Sequence, residues 1–370
     1  MLEREWVADW FETFCSAGRL DGLLICSGRS AEELAGLLLA GLRLDLPTVV
    51  APRYERLFDI VPFALGLTPL GGDPAAVAVE VAREGGPRPR KLVNEFSVAD
   101  ALRAGLSCGG GPEMVVHISA IAREARIPGF SQMLRVLIPD TPLLVKPDSD
   151  WFRQHGVPGL LSHLGDALHD TSSVEGRVRE SLPSAPPAPP PPAVSRLVLV
   201  QGRASGTEAI CRTSGEEEVS GACRVFDSET EAARAVEADE VVAGELLVVR
   251  GCGPRGGPGL VRLDLLAQAL REGGLEEGTP VITDGLPPSE TSGTWISLFT
   301  PEAATGGVIG RLRGGDTLRI DLAEGRIRTG VRTDEMRSRD PYEFPDPAGA
   351  GYAARYSRSA LPALEGAGFG

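Results

Sequence analysis

The sequence predicts an α/β protein of two domains: an N-terminal parallel-sheet domain, then a C-terminal domain built of short strands with few helices. Three observations carry this. First, Leu23–Cys26 and Pro47–Ala51 are short apolar runs of the buried-strand kind, and a helix-period stretch from Ser30 to Leu42 separates them. Second, the run P-S-A-P-P-A-P-P-P-P-A at Pro183–Ala193 is too rich in proline for a helix or a central strand, so it reads as a polyproline spacer. A docking motif for a proline-reading domain is the alternative. Third, the chain beyond it is a series of strand-like runs, with helices expected only at Ser228–Ala238 and Leu260–Arg271. The expected boundaries are 1–182 for the first domain, 183–193 for the linker and 194–335 for the second domain. Residues 336–370 form an extension expected to pack back on the first domain.

Composition narrows the class. With 370 residues the chain can bury two cores, and 42% hydrophobic residues mark it as globular. A net charge of −14 and a pI near 4.9 argue against a nucleic-acid partner, because such proteins carry a basic face. No stretch is apolar and long enough for a membrane span, and M-L-E-R-E-W does not read as a signal peptide, so a cytoplasmic protein is expected. The six cysteines are scattered without a C-x-x-C pair, which fits reduced, buried thiols better than a disulfide frame.

Taken in order, Leu2–Phe14 has helical periodicity. Ser30 with Glu33 is a capping-box pattern at the start of the next helix. A strand, a covering helix and a second strand form a right-handed parallel unit, whose ligands sit at the carboxyl ends of the strands. Ser97–Ala104 reads as a helix, and S-C-G-G-G-P-E leads into another at Pro112. Gly109, Gly110 and Gly111 are therefore one candidate anion site at a helix start. Cys108 and His117 are better explained as buried core residues than as reactive ones. His155, His163 and His169 show no metal-ligand spacing.

In the second domain, strands are expected at 197–201, 208–211, 224–226, 245–250, 281–283, 295–299, 308–313, 317–322 and 326–331. The organising stretch is Glu245–Asp284. The apolar run Leu246–Val249 is stopped by G-C-G-P-R-G-G-P-G, after which Leu260, Leu263, Leu266, Ala267 and Leu270 recur at helical spacing. This predicts a glycine-rich loop delivered onto a helix N-terminus, where free N–H groups attract an anion. Gly256, Gly257 and Arg255 are the binding candidates; a tight ligand-free connection is the plain alternative. A helix is expected again over Tyr352–Leu364, broken near Pro362.

These blocks carry a family resemblance. G-P-R-G-G-P-G, V-I-T-D-G, T-P-E-A-A-T-G-G and Gly315–Asp321, preceded by C-R-V-F-D-S at Cys223–Ser228, resemble the C-terminal half of the dihydroxy-acid dehydratase and phosphogluconate dehydratase family. The resemblance implies a swivelling, barrel-like β/α second domain and a site in the crevice between domains. It also implies dimers, and a chemistry in which an iron–sulfur cluster takes the leaving hydroxyl, magnesium holds the carboxylate side and a serine takes the proton. Aligned on this family, Ser30 stands at a cluster cysteine, Ala31 at a magnesium-binding aspartate, Glu32 at the lysine that completes the metal site, Cys252 at a magnesium-binding glutamate and Pro288 at the serine base. The chain also looks trimmed relative to the family.

No cofactor and no metal are therefore expected, and family-type dehydration is not. Two readings remain. One is a cluster-free lyase or isomerase of specialised metabolism acting on a small carboxylate, with Cys252, Asp284, Ser289 and Glu32 as catalytic candidates and Glu290 as a further substrate contact. The other is a non-catalytic relative that binds another protein or a metabolite. Either is expected to pair as a homodimer or to join another metabolic enzyme.

Overall fold

The computed structural model describes the chain apart from Ser27, Tyr54, Glu55, residues 191–195, Ala204, Ser205, Ser214, Pro258, Glu290, Thr291 and residues 345–348. It divides into two compact units, made essentially of residues 3–110 with 114–193, and of residues 194–370. No helix among the described residues is long and apolar enough to cross a membrane.

Helices of eight residues or more and strands of three or more are numbered in chain order. The first unit contains α1 (Leu2–Ser16), β1 (Leu23–Cys26), α2 (Ala31–Leu44), β2 (Thr48–Ala51) and α3 (Pro74–Glu84), then α4 (Glu95–Ser107), α5 (Pro112–Glu124), α6 (Phe130–Asp140) and α7 (Asp150–Leu164). Strands β1 and β2 pair in parallel, Leu23 opposite Thr48 through Cys26 opposite Ala51, as a strand–helix–strand crossover requires. That sheet has only two strands, so helices supply most of the unit's core. Ser30 caps α2 by accepting from the Glu33 N–H at 3.0 Å, while the Glu33 carboxylate accepts from the Arg29 N–H rather than closing the box on Ser30.

The second unit is a closed barrel of eight strands: β3 (Arg196–Gly202), β4 (Glu208–Thr213), β5 (Glu218–Phe226), β6 (Leu246–Val249), β7 (Val281–Thr283), β8 (Trp295–Thr300), β9 (Thr317–Asp321) and β10 (Arg326–Thr329). Around the barrel the order is β8, β4, β3, β10, β9, β5, β6, β7, and closure comes from β7 pairing in parallel with β8. Helices α8 (Glu229–Glu237) and α9 (Asp264–Glu272) pack outside β5 and β6, and α10 (Tyr352–Ser359) lies in the tail. Two apolar layers explain why β6 does not alternate in hydrophobicity. Leu246 and Val248 point into the barrel core with Ile282, Ile296 and Ile320, whereas Leu247 and Val249 lie under α8 and α9.

Two expectations differ from the structure. Residues 308–313 form no strand: Val308–Arg311 is a 3₁₀ turn between Gly307 and the chain after it, and its Ile309 joins Leu312 in the barrel core. A short apolar run does not distinguish a strand from a core-filling turn. Helix α9 starts at Asp264, four residues later than expected, because Val261 and Leu263 are held in extended pairing with Cys252 and Leu286. The tail breaks near Pro362 as expected: its helix ends at Ser359 and a 3₁₀ turn follows at Ala363–Glu365. The tail's hydrogen bonds run to barrel-unit residues: Tyr342 N–H to the Gly310 carbonyl, the Arg255 guanidinium to the Ala360 carbonyl, and Ala363 N–H to Glu302.

Candidate functional site

The loop that follows β6 is held by two buried carboxylates. Asp284, just past the end of β7, is fully buried and accepts from three backbone N–H groups: Cys252 at 2.8 Å, Ala303 at 3.0 Å and Gly251 at 3.3 Å. One side chain thus ties the start of the glycine-rich loop to the segment after β8. Glu302, 1% exposed, accepts from Ala363 N–H at 2.9 Å and from the Thr305 hydroxyl at 3.3 Å. Gly253 passes against both: a β-carbon there would lie 2.7 Å from Glu302 Cγ and 3.5 Å from Asp284 Cγ. Beside them, β8 bulges at Leu298, which has φ +54° and donates its N–H to the Gly285 carbonyl. A buried leucine in the left-handed region is strained backbone, tolerated here because the surrounding pairing over-determines it.

Burial raises the carboxyl pKa of both Asp284 and Glu302, and their hydrogen bonds only partly offset this; the Asp284 charge raises Glu302 further. A raised folded-state value means that Glu302's contribution to stability is fully present below its ordinary value of 4.5 and is lost as pH rises through the folded value. Glu302→Gln keeps an acceptor for Ala363 and removes the buried charge. The variant is expected to be more stable than the parent at pH 7 by on the order of 1 kcal/mol, with the gap closing as pH falls toward 4. Thermal melts across that range read the difference; a destabilised variant at neutral pH contradicts it.

The Cys252 thiol, 3% exposed, belongs to the apolar layer under the helices, among Phe226, Leu263 and Leu266. Burial first, and then the Asp284 charge, push its pKa up, the opposite of an activated thiolate. Arg255 is half-buried and its Nε donates to the Ala360 carbonyl at 2.6 Å. Gly256 is needed for space, since a β-carbon would meet Ala304 at 2.7 Å, and Gly257 runs 3.1 Å from the Gly251 carbonyl by the same measure. Among the described residues, the N–H groups of Gly253, Arg255, Gly256 and Gly257 make no backbone–backbone hydrogen bond. Ser289 is exposed; its hydroxyl accepts from Arg262 at 2.8 Å and its carbonyl from Arg212 at 3.2 Å. Glu290 lies outside the described residues.

The expected anion site at the start of α9 is already filled. Glu229 Oε1 accepts from the N–H groups of Leu265 and Leu266 at 2.6 and 3.2 Å, so the chain's own carboxylate satisfies that helix terminus. Sequence reading missed both Glu229 and Glu302. Glu302 stands in the quoted T-P-E-A-A-T-G-G run, and its burial was the missing fact.

In the first unit, Gly109 and Gly110 close α4 rather than open a cradle. Gly109 has φ +79°, and the N–H of Gly110 returns to the Gly105 carbonyl, a Schellman-type end. A β-carbon on Gly111 would meet nothing within 4 Å, so space does not require a glycine there. Glu32 is ion-paired at 2.5 Å with the Met1 ammonium. Cys108 is buried, and burial raises its pKa. Among the described residues, no group of three or more His, Cys, Asp or Glu side chains is placed to hold a metal ion, and the six cysteines are free.

A family model described as the C-terminal part of dihydroxy-acid/6-phosphogluconate dehydratases matches residues 187–367, which takes in the barrel and most of the tail. A dihydroxy-acid dehydratase of Syntrophotalea carbinolica is 27% identical over 458 residues, spanning 98% of this chain and 82% of the relative. Dihydroxy-acid dehydratase 2 of Bordetella bronchiseptica is 32% identical over 343 residues, 82% of this chain and 60% of the relative. Dihydroxy-acid dehydratase 1 of Aromatoleum aromaticum is 29% identical over 347 residues, 85% and 61%. The 458-residue match is longer than this chain's 370 residues, so segments internal to that relative have no counterpart here. Motif order, barrel and aligned relatives agree: this chain belongs to the dihydroxy-acid/6-phosphogluconate dehydratase family.

Proposed function

We propose that this chain binds a small carboxylate-bearing metabolite at the loop after β6 and acts without the cluster chemistry that the family resemblance implies. The observation that carries the reading is a contrast within one loop. Among the described residues, four backbone N–H groups, of Gly253, Arg255, Gly256 and Gly257, make no backbone hydrogen bond beside a guanidinium that donates through its Nε, whereas the side chains that would react are engaged elsewhere. Cys252 is in an apolar layer, Asp284 braces three N–H groups, and Glu32 faces an ammonium. Consecutive N–H groups and an arginine fork suit a carboxylate. The donor set does not fit an iron–sulfur cluster or a magnesium ion, because no three candidate ligands converge among the described residues.

Arg255→Ala is expected to weaken binding of a short 2,3-dihydroxy acid by about tenfold or more, the loss of one charge-assisted hydrogen-bond pair. Isothermal titration, with the corresponding amide as control, reads this. Equal affinity of parent and variant sinks the reading, as does iron and sulfide bound to anaerobically purified protein.

A second reading, a cluster-free lyase or isomerase of specialised metabolism, is favoured by Ser289. Its hydroxyl is exposed and accepts from Arg262, and a neighbouring guanidinium stabilises an alkoxide. Turnover abolished in Ser289→Ala with unchanged ligand affinity distinguishes it from pure binding. Assembly as a homodimer, or with another metabolic enzyme, and a cytoplasmic setting belong to the same proposal.

A further inference from the structure

The proline-rich segment between the units is not suspended in solvent along its described length. Trp151, near the start of α7 and 9% exposed, donates its indole N–H to the Pro187 carbonyl at 2.7 Å. Ser162, three turns along the same helix, has its hydroxyl 2.9 Å from the Pro183 carbonyl, sharing one proton with the Pro158 carbonyl at 2.8 Å. Between them Gly159 presents bare backbone to Pro186, whose ring carbon lies 3.5 Å from where a β-carbon would be.

Helix α7 is shaped for this. It kinks at Gly156, where φ is +59° and ψ −161°, a conformation open to glycine. His155 and His163 stand beside the indole, with ring centroids 5.0 and 6.2 Å away. Two strap prolines three residues apart are partly covered. Pro186 and Pro189 are half-buried, whereas Pro183, Ser184, Ala185, Pro187, Ala188 and Pro190 are exposed. Proline fixes φ and holds its predecessor extended, so this composition favours the polyproline II helix, with three residues per turn and one face repeating at every third residue. An aromatic floor, a donor aimed at a strap carbonyl and contact by alternate prolines are the features by which proline-rich peptides are read.

We infer that the kinked face of α7 bearing Trp151, His155, Gly159 and Ser162 is a polyproline-reading site, occupied in cis by the chain's own Pro183–Pro190. A tethered ligand acts at high effective concentration, so the site takes a peptide in trans only when its own strap is removed. The site is independent of the loop after β6 and of what that loop binds.

The test uses the full-length chain with Pro183, Pro186, Pro187 and Pro189 replaced by glycine or serine, titrated with a labelled synthetic peptide of the sequence S-L-P-S-A-P-P-A-P-P. Saturable binding is expected, about tenfold or more weaker for the unaltered chain and about tenfold weaker again when Trp151→Phe is added to the strapless variant. A peptide with alanine for proline should not bind. No saturable binding by a strapless chain with a parent-like melt, or equal binding with and without the indole N–H, overturns the inference. Should the strapless chain fail to fold, Trp151→Phe in the unaltered background decides. Cleavage within 183–190 by a proline-specific endopeptidase is expected to quicken about tenfold, and an unchanged rate overturns the inference equally.

Discussion

Asp284→Ala is expected to destabilise the barrel unit by about 3–5 kcal/mol, because three backbone N–H groups lose their one acceptor together. Each donor, on Gly251, Cys252 and Ala303, has Asp284 as its partner, and the carboxylate itself is fully buried, so water does not simply take its place. Two effects oppose each other. Removing a buried carboxylate whose pKa is raised by desolvation is favourable, whereas orphaning three N–H groups is not. At about 1–3 kcal/mol for each unsatisfied donor, the second effect wins. Asp284→Asn keeps one acceptor oxygen and is expected to cost less than alanine. Urea denaturation followed by circular dichroism measures both. An alanine variant within 1 kcal/mol of the parent would falsify the bracing role assigned to Asp284.

Gly307→Ala is expected to cost about 3 kcal/mol or more, and Gly306→Ala only about 1 kcal/mol, although the two glycines are neighbours. A β-carbon on Gly307 would sit 1.7 Å from the Pro301 carbonyl oxygen and 2.5 Å from its carbon, both backbone atoms fixed in the turn that carries Glu302. Gly307 also donates its N–H to the Glu302 carbonyl at 3.0 Å, so the turn has no slack in which to move away. Gly306 has φ +80° with nothing within 4 Å of the added carbon, which leaves only the left-handed backbone penalty. A reversed order of the two denaturation midpoints would show that this turn relaxes. In that event Glu302 is not held as described.

Much of the fold was legible because periodicity is a local property. The β6 run, the alternation in Thr317–Leu322 and the helix at Ser228–Ala238 follow from residue spacing and the turn residues around them. The glycine-rich loop was legible as a place, since glycines and prolines at that density stop a strand. What the loop does with its neighbours was not. Cys252 stood as a catalytic candidate, and only the second apolar layer, which also takes Leu247 and Val249, turns its thiol inward. Likewise the α9 terminus looked open, and a carboxylate from α8, 36 residues away in sequence, closes it.

By itself the sequence determined the α/β class and the blocks that tie the chain to its family, both of which depend on spacing along the chain. Tertiary structure alone decided which polar groups are spent. Asp284 and Glu302 became braces, Glu229 became a cap, and the Pro187 carbonyl accepts from the Trp151 indole. The physical reason is that a hydrogen bond's partner, and the desolvation that sets its value, depend on residues distant in sequence, whereas strand and helix periods do not.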